Sequence, residues 1–133
     1  MQTSARAADN DVLEADLRRL EDIGFVIDVL TEPPHVGIVV HDVQLPPGYS
    51  KDKTRVLLLT TNLYPASAMD MFWVDTDLTL TGGAIPAAAE SIEHLFGQSW
   101  RRYSWHRNNE WRPGRDDIVG HFEFALARLQ RPQ

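Results

Sequence analysis

The feature that most constrains the fold is an unbroken apolar run at residues 56–59, inside the segment 54–61. A strand with one face in water alternates polar and apolar residues, whereas a strand covered on both faces reads as a continuous apolar run. The run therefore predicts a central strand that is buried on both sides. A chain of 133 residues without cysteine can bury such a strand in one domain, without metal or disulfide crosslinks.

Two other segments, residues 25–30 and 35–43, show the period-two alternation of strands. Residues 70–74 form a fourth short strand that contains Met71, Phe72 and Trp73, and residues typical of turns separate each strand from the next. Strands that follow one another along a chain with short connections pair antiparallel. Together with the central strand, these segments predict an antiparallel meander of four strands.

Helices are predicted on both sides of the meander. Residues 13–23 repeat apolar side chains at helical spacing, Asp9 or Asn10 can cap this helix, and Gly24 provides the stop. A short helix is predicted over residues 87–96, and a last helix after the turn at residues 111–114. The order of helix, strands, irregular segment and helix belongs to the α+β class, in which the helices cover an antiparallel sheet.

The overall composition is that of a soluble globular protein, with 43% hydrophobic and 24% charged residues. Residues 1–8 are small and polar and are expected to be disordered, which leaves residues 9–133 as a single domain. No apolar run reaches membrane-spanning length and no leader pattern is present, so we expect a cytoplasmic protein. The histidines lack the spacing of zinc ligands, so the sequence predicts neither a metal nor another cofactor.

One segment departs from the acidic character of the chain. The net charge is −6, yet residues 97–115 hold five arginines against a single acid. Aromatic side chains are interleaved with these arginines, and neither a helical nor a strand period describes the stretch between Phe96 and Trp111. Loops of this kind more often carry function than packing.

The order of these motifs resembles that of the ubiquitin-conjugating, or carrier, enzymes. In both, a starting helix precedes the strands, a Tyr-Pro turn lies before the fourth strand, and a Trp-x-Pro turn opens the last helix. Here the two turns are Tyr64-Pro65 and Trp111-Arg112-Pro113. The resemblance implies the fold of that superfamily, with an active-site loop ahead of the last helix.

The chain is more similar still to a bacterial branch of the superfamily, prokaryotic family E. The shared motifs are Leu-Pro-Pro-Gly-Tyr at residues 45–49, Asp-Met-Phe at 70–72, Trp-x-x-x-Ser-x-His at 100–106 and Trp-x-Pro-Gly at 111–114. The resemblance covers residues 25–129, nearly the whole domain. It implies an acyl transferase that accepts a bacterial ubiquitin-like protein from an activating enzyme and passes it to a protein target.

The resemblance also indicates an acyl-accepting residue. The carrier enzymes use a cysteine about eight residues before the tryptophan of the Trp-x-Pro turn. This chain has no cysteine, and Ser104 lies seven residues before Trp111. The resemblance therefore implies that Ser104 carries the ubiquitin-like protein as an oxygen ester. The usual His-Pro-Asn tripeptide, whose asparagine is thought to stabilise the oxyanion, is missing, so Asn108, Asn109 or a backbone amide must supply that donor.

A serine hydroxyl needs a neighbouring base before it can attack an acyl group. Residues two apart in an extended segment share a face, which places His106 to take the proton of Ser104. The ubiquitin-like partner would present an extended C-terminal tail, and a basic, aromatic groove suits such a tail. The side chains predicted to form this binding site are Trp100, Arg101, Arg102, Tyr103 and Asn108.

Two other functions stay open. Folds of this kind also host inactive variants, so the chain is consistent with a noncatalytic module that binds a ubiquitin-like protein. The interleaved aromatic and arginine side chains are also typical of a platform that stacks the bases of single-stranded nucleic acid. The acidic remainder of the chain counts against nucleic acid, and we favour transfer chemistry.

Overall fold

The computed structural model describes residues 10–107 and 110–133. These residues form two helices and six strands, and all of the strands belong to one antiparallel sheet with the order β1-β2-β3-β4-β6-β5. The elements are α1 (Asp11–Ile23), β1 (Ile27–Glu32), β2 (His35–Gln44), β3 (Lys53–Thr61), β4 (Phe72–Val74), β5 (Ile92–Leu95), β6 (Gln98–Tyr103) and α2 (Ile118–Leu129). The predicted α+β class is therefore confirmed. The segment 1–8, predicted to be disordered, lies outside the described residues.

Both helices pack on the same face of the sheet. Leu13, Leu17 and Leu20 of α1 are fully buried, and they belong to one core cluster with Phe122 of α2 and Leu58 of β3. The side chain of Asn10, one of the two predicted caps, caps α1 by accepting a hydrogen bond from the Leu13 amide. No helix within the described ranges is both long and apolar enough to cross a membrane.

The sheet is larger than the predicted meander of four strands. The predicted strands correspond to β1–β4, but β6 adds to β4 and β5 adds to β6. The helix predicted over residues 87–96 is wrong, because Ile92–Leu95 is a strand that pairs with β6. Its side chains alternate between exposed and half-buried positions, which is the period of an edge strand.

A second apolar cluster covers the face of the sheet opposite the helices. It consists of six buried side chains: Leu30, Val39, Leu57, Trp73, Phe96 and Trp100. Leu57 of β3 points into this cluster, while its neighbours Val56 and Leu58 point toward the helices. The predicted burial of the central strand on both sides is thereby confirmed.

Gly37 of β2 provides the space for Phe96 in this second cluster. Phe96 lies in the two-residue turn between β5 and β6, where Phe96 and Gly97 both have positive φ, as a hairpin turn of type I′ requires. A Cβ atom built on Gly37 would lie only 2.5 Å from Cε2 of the Phe96 ring. The tip of the β5–β6 hairpin is thus fitted against the middle of β2.

Replacing Gly37 by alanine should destabilise the protein by about 1–3 kcal/mol, because the new methyl group displaces the Phe96 ring from a packed site. The matched control is Gly120→Ala in α2, where the new Cβ would lie 3.7 Å from the nearest atom, Oδ1 of Asp117. This control should be neutral or slightly stabilising, since alanine favours helix over glycine. Urea unfolding of both variants tests the prediction, and equal stabilities of Gly37→Ala and the parent chain would contradict it.

Candidate functional site

Ser104 lies directly after the last residue of β6, and its side chain is half-buried rather than enclosed in the core. Its backbone amide donates a hydrogen bond to the carbonyl of Ala88, at an N–O distance of 2.8 Å. Tyr103 packs in the core on the helix side, whereas Trp100 packs in the cluster on the other side. By the alternation of strand residues, Arg102 and Ser104 project on the side away from the helices.

The hydroxyl of Ser104 is held by a cation. Nε of Arg102 donates to Oγ of Ser104 at 2.9 Å, and Nη1 of the same side chain pairs with Oε2 of Glu93 at 3.2 Å. Oε1 of Glu93 accepts a further bond from the indole nitrogen of Trp73 at 2.7 Å. Since a guanidinium only donates, the proton of the Ser104 hydroxyl stays available for transfer to a base.

His106, two residues after Ser104, is paired with the carboxylate of Asp70, which lies just before β4. Its Nδ1 lies 2.6 Å from Oδ2 of Asp70, and Asp70 also accepts a bond from the Arg107 amide. A carboxylate accepts, so Nδ1 carries a proton and, in the neutral ring, Nε2 is the basic nitrogen. Both side chains are substantially exposed, 65% for His106 and 46% for Asp70, beside a cavity of about 200 Å³ that Met69 and Trp111 also line.

The carboxyl group of Asp70 is held in its ionised form. Partial burial alone raises the pKa of this carboxyl, but the hydrogen bonds from His106 and from the Arg107 amide outweigh it, so the pKa of Asp70 lies below its ordinary value. An ionised carboxylate at this position orients the imidazole by accepting the hydrogen bond from Nδ1.

Ser104 and His106 have different partners in the structure. Among the residues that it describes, no hydrogen bond joins the two side chains, because Ser104 contacts Arg102 and His106 contacts Asp70. Hydrogen bonds between catalytic groups are often long or absent before substrate binds. Asn108, predicted as a donor to the oxyanion, lies outside the described residues.

Three side chains that were predicted to line a binding groove are buried instead. Trp100 and Tyr103 are fully buried and Arg101 is 7% exposed. The Arg101 guanidinium donates to the carbonyls of Ala89 and Thr76, so its charge is used inside the fold. Both faces of β6 are covered, and this is why a basic and aromatic segment packs inward. Among the members of the predicted binding set that the structure describes, Arg102 stays partly exposed, at 31%.

The same burial removes the stacking platform that the nucleic-acid hypothesis requires. Trp100 and Tyr103 present no ring face to solvent. The faces of Trp105 and Trp111 are approached by the guanidinium groups of Arg128 and Arg107. Bases stack on exposed aromatic faces, so the described rings do not support this function.

Two functional candidates, Asp70 and Glu93, were missed by the sequence reasoning. Asp70 belongs to the Asp-Met-Phe motif, which indicates the family but does not indicate that this carboxylate contacts His106, 36 residues further along the chain. Glu93 lies in the segment wrongly predicted to be a helix, so its position opposite Arg102 was hidden. Within the described ranges, no group of three or more possible ligands is arranged to hold a metal ion.

An α+β architecture of two helices on a six-stranded antiparallel sheet is compatible with the fold of ubiquitin-conjugating-like proteins. The chain matches Prokaryotic E2 family E over residues 12–131 and belongs to that family. Membership supports a ubiquitin-conjugating-like role in general, together with interaction with ubiquitin-like proteins and activating enzymes as classes. No curated protein and no solved structure matches the chain.

His121 of α2 anchors the backbone next to Asp70. Its ring is fully buried, its Nε2 donates to the carbonyl of Met71 at 2.8 Å, and its Nδ1 faces Nη1 of Arg107 at 3.4 Å. Burial lowers the pKa of His121 to about 4, and the nearby positive charge of Arg107 lowers it further. The hydrogen bond to Met71 acts in the opposite direction, but it is outweighed. The neutral ring therefore satisfies both neighbours, and the protonated ring does not.

The pKa of His121 predicts a loss of stability in mild acid. The ordinary pKa of histidine is about 6.5, so below that pH the ring is protonated in the unfolded chain. In the folded protein the ring stays neutral down to about pH 4, so acid favours the unfolded chain between these two values. The contribution of His121 is complete above pH 6.5 and should fall by about 2–3 kcal/mol at pH 4.5. His121→Gln keeps a donor for Met71 and does not titrate. Urea unfolding at pH 7 and pH 4.5 should show a smaller loss in this variant, and equal losses would refute the assignment.

Proposed function

We propose that this protein accepts a ubiquitin-like protein as an oxygen ester on Ser104 and passes it to an amine of a protein target. The observation that supports this most directly is the contact between Oγ of Ser104 and Nε of Arg102. It places a half-buried hydroxyl beside a fixed positive charge, in a family member that has no cysteine. An activating enzyme would supply the acyl group as an adenylate or a thioester.

The acylation step joins Oγ of Ser104 to the carbonyl carbon of the activated C-terminal carboxyl group. The bond from that carbon to the adenylate oxygen or the thioester sulfur breaks, and AMP or a thiol leaves. The hydroxyl proton passes to Nε2 of His106, while Asp70 stabilises the imidazolium through Nδ1. Alpha carbons two apart along an extended segment lie about 7 Å from each other, so this transfer needs a side-chain rotation or one bridging water.

Discharge to the target is the second half of the reaction. The amine nitrogen attacks the ester carbonyl carbon and gives a proton to neutral His106, and an amide bond forms. The bond from that carbon to Oγ of Ser104 breaks, and Oγ takes the proton from His106. An oxygen ester reacts with amines more slowly than a thioester does. We therefore expect slow discharge unless a further enzyme accelerates it.

Noncatalytic binding of a ubiquitin-like protein is the second candidate function. The observation that favours it is the separation of Ser104 and His106, each of which is bonded to another partner. This function requires the same partner class but no covalent adduct, so one experiment distinguishes the two.

Incubation with ATP, a bacterial ubiquitin-like protein and its activating enzyme should give a covalent adduct. Because the link is an ester, the adduct should survive thiol reductant and be cleaved by hydroxylamine or base. Ser104→Ala should abolish it, and Ser104→Cys should replace it with an adduct that thiol reductant cleaves. Ser91→Ala is the matched control, since Ser91 also contacts Arg102, at 3.5 Å, without being the acceptor. An adduct on Ser104→Ala disproves the assignment, and binding without any adduct supports the noncatalytic function.

Loss of the base should slow acylation without unfolding the protein. His106→Gln should lower the rate of adduct formation by about 100-fold or more, because general base catalysis is worth that much. Asp70→Asn should lower the rate in the same direction, since the imidazole loses its orienting carboxylate. The rate is measured by quenched-flow gel analysis with saturating partner.

The chain offers a matched control for this histidine–carboxylate pair. His41 lies on β2, with its Nε2 2.8 Å from Oδ2 of Asp28, and it belongs to another part of the sheet. His41→Gln removes a similar pair and should leave the rate unchanged. A rate in His106→Gln equal to that in His41→Gln would show that His106 is not the base.

A further inference from the structure

The geometry points to Arg102 as the catalytic residue that stabilises negative charge on the acyl oxygen while the ester on Ser104 forms and breaks. This inference rests on the proposed acylation of Ser104. It assigns to a side chain on β6 the task for which the sequence offered Asn108, Asn109 or a backbone amide.

Arg102 already contacts the reacting atom. Its Nε lies 2.9 Å from Oγ of Ser104, the atom that bonds to the carbonyl carbon. In the resulting ester, the acyl oxygen is attached to that same carbon and lies next to Oγ. A guanidinium presents parallel N–H groups along one edge, and this spacing matches two oxygens on one carbon. With Nε on Oγ, the neighbouring nitrogen on that edge is Nη2, which has a second N–H group beside the one that contacts Oγ of Ser91 at 3.5 Å, and that second group is the donor we assign to the acyl oxygen.

Arg102 has donors left for this purpose. A guanidinium carries five N–H groups, and the hydrogen bonds of Arg102 to Ser104, Glu93 and Ser91 use three of them. The side chain is 31% exposed, so a substrate can reach it. The adjacent Arg101 differs, because it is buried and donates to the carbonyls of Ala89 and Thr76.

The guanidinium is also held in place before substrate arrives. Glu93 on β5 pairs with it, and the indole of Trp73 on β4 donates to Glu93 at 2.7 Å. Trp73 is only 4% exposed and belongs to the second apolar cluster, on the face of the sheet opposite the helices. A donor fixed in this way needs no reorganisation when charge develops, which is the condition under which oxyanion stabilisation is most effective.

Two other roles for Arg102 make different kinetic predictions. A residue that only orients the Ser104 hydroxyl affects formation of the ester and has no effect once Oγ is acylated. A residue that only attracts the acidic or carboxyl-bearing tail changes the half-saturating concentration and leaves the maximal rate alone. An oxyanion donor changes the maximal rate of both formation and breakdown, because both pass through a tetrahedral oxyanion.

The test uses the full chain and, as the acyl donor, the mercaptoethanesulfonate thioester of the ubiquitin-like protein that forms the adduct described above. This donor makes the assay independent of any activating enzyme. Single-turnover rates of adduct formation are measured across donor concentrations. The isolated adduct is then treated with hydroxylamine, and its rate of loss is measured. The variants are Arg102→Ala, Arg102→Lys and Glu93→Gln.

We expect Arg102→Ala to lower the maximal rate of formation by about 100- to 1,000-fold, and the rate of hydroxylamine cleavage by a similar factor. Arg102→Lys should recover part of both rates, and Glu93→Gln should lower both to a smaller extent. If Arg102→Ala fails to fold or gives too little adduct to isolate, the lysine variant supplies both rates. Arg115→Ala is the matched control, because Arg115 is an exposed arginine of the same basic segment, and it should leave both maximal rates unchanged.

If Arg102→Ala slows adduct formation but leaves the rate of hydroxylamine cleavage normal, Arg102 only orients the Ser104 hydroxyl. If it changes the half-saturating donor concentration but leaves the maximal rate normal, Arg102 only binds the tail of the ubiquitin-like protein. Either result overturns this inference. Both are distinct from failure of the proposed function, which would appear as no adduct on the parent chain or as an adduct that persists in Ser104→Ala.

Discussion

The antiparallel pairing of β6 with β4 is the constraint on which the rest of the structure depends. Its register sets Phe72 opposite Tyr103 and Trp73 opposite Arg102. Continued past the end of β6, the same register brings Asp70 toward the residues that follow Ser104, where it meets His106. One ladder thus positions the carboxylate of the histidine pair and, through Trp73 and Glu93, the guanidinium beside Ser104.

That ladder forms at the right place because both faces of the sheet are covered. Helices cover one face, and the tip of the β5–β6 hairpin covers the other by seating Phe96 over Gly37. The seating of Phe96 fixes the hairpin, and with it Glu93 on β5. A packing contact in the middle of the sheet is therefore linked to the electrostatic environment of Ser104, although Gly37 touches none of the polar side chains of the site.

The sequence predicts the parts of this structure that local rules determine. The cap and stop of α1 and the apolar run of β3 are readable because each depends on neighbouring residues. The β5 strand is not readable in this way, because Ile92–Leu95 becomes a strand only through its pairing with β6, and Phe96 adopts positive φ without the usual Asn-Gly signal. Within the candidate site, Ser104 and His106 follow from a linear motif. Asp70 and Glu93 are brought to them by long-range pairing, which a linear motif does not contain.

The net positive charge of residues 97–115 suggests a basic binding groove, but most of these arginines that the structure describes have partners within the fold. Of the five arginines in residues 97–115, Arg101 binds backbone carbonyls, Arg102 pairs with Glu93 and Arg107 pairs with Asp116. Much of the apparent positive patch is therefore balanced within the fold. A serine is a far weaker nucleophile than a cysteine at neutral pH, so ester formation depends more on a nearby base and a nearby donor than on a broad attractive field. Two carboxylates, Asp70 just before β4 and Glu93 on β5, hold such groups in place, and this arrangement is the physical basis of the proposed ester chemistry at Ser104.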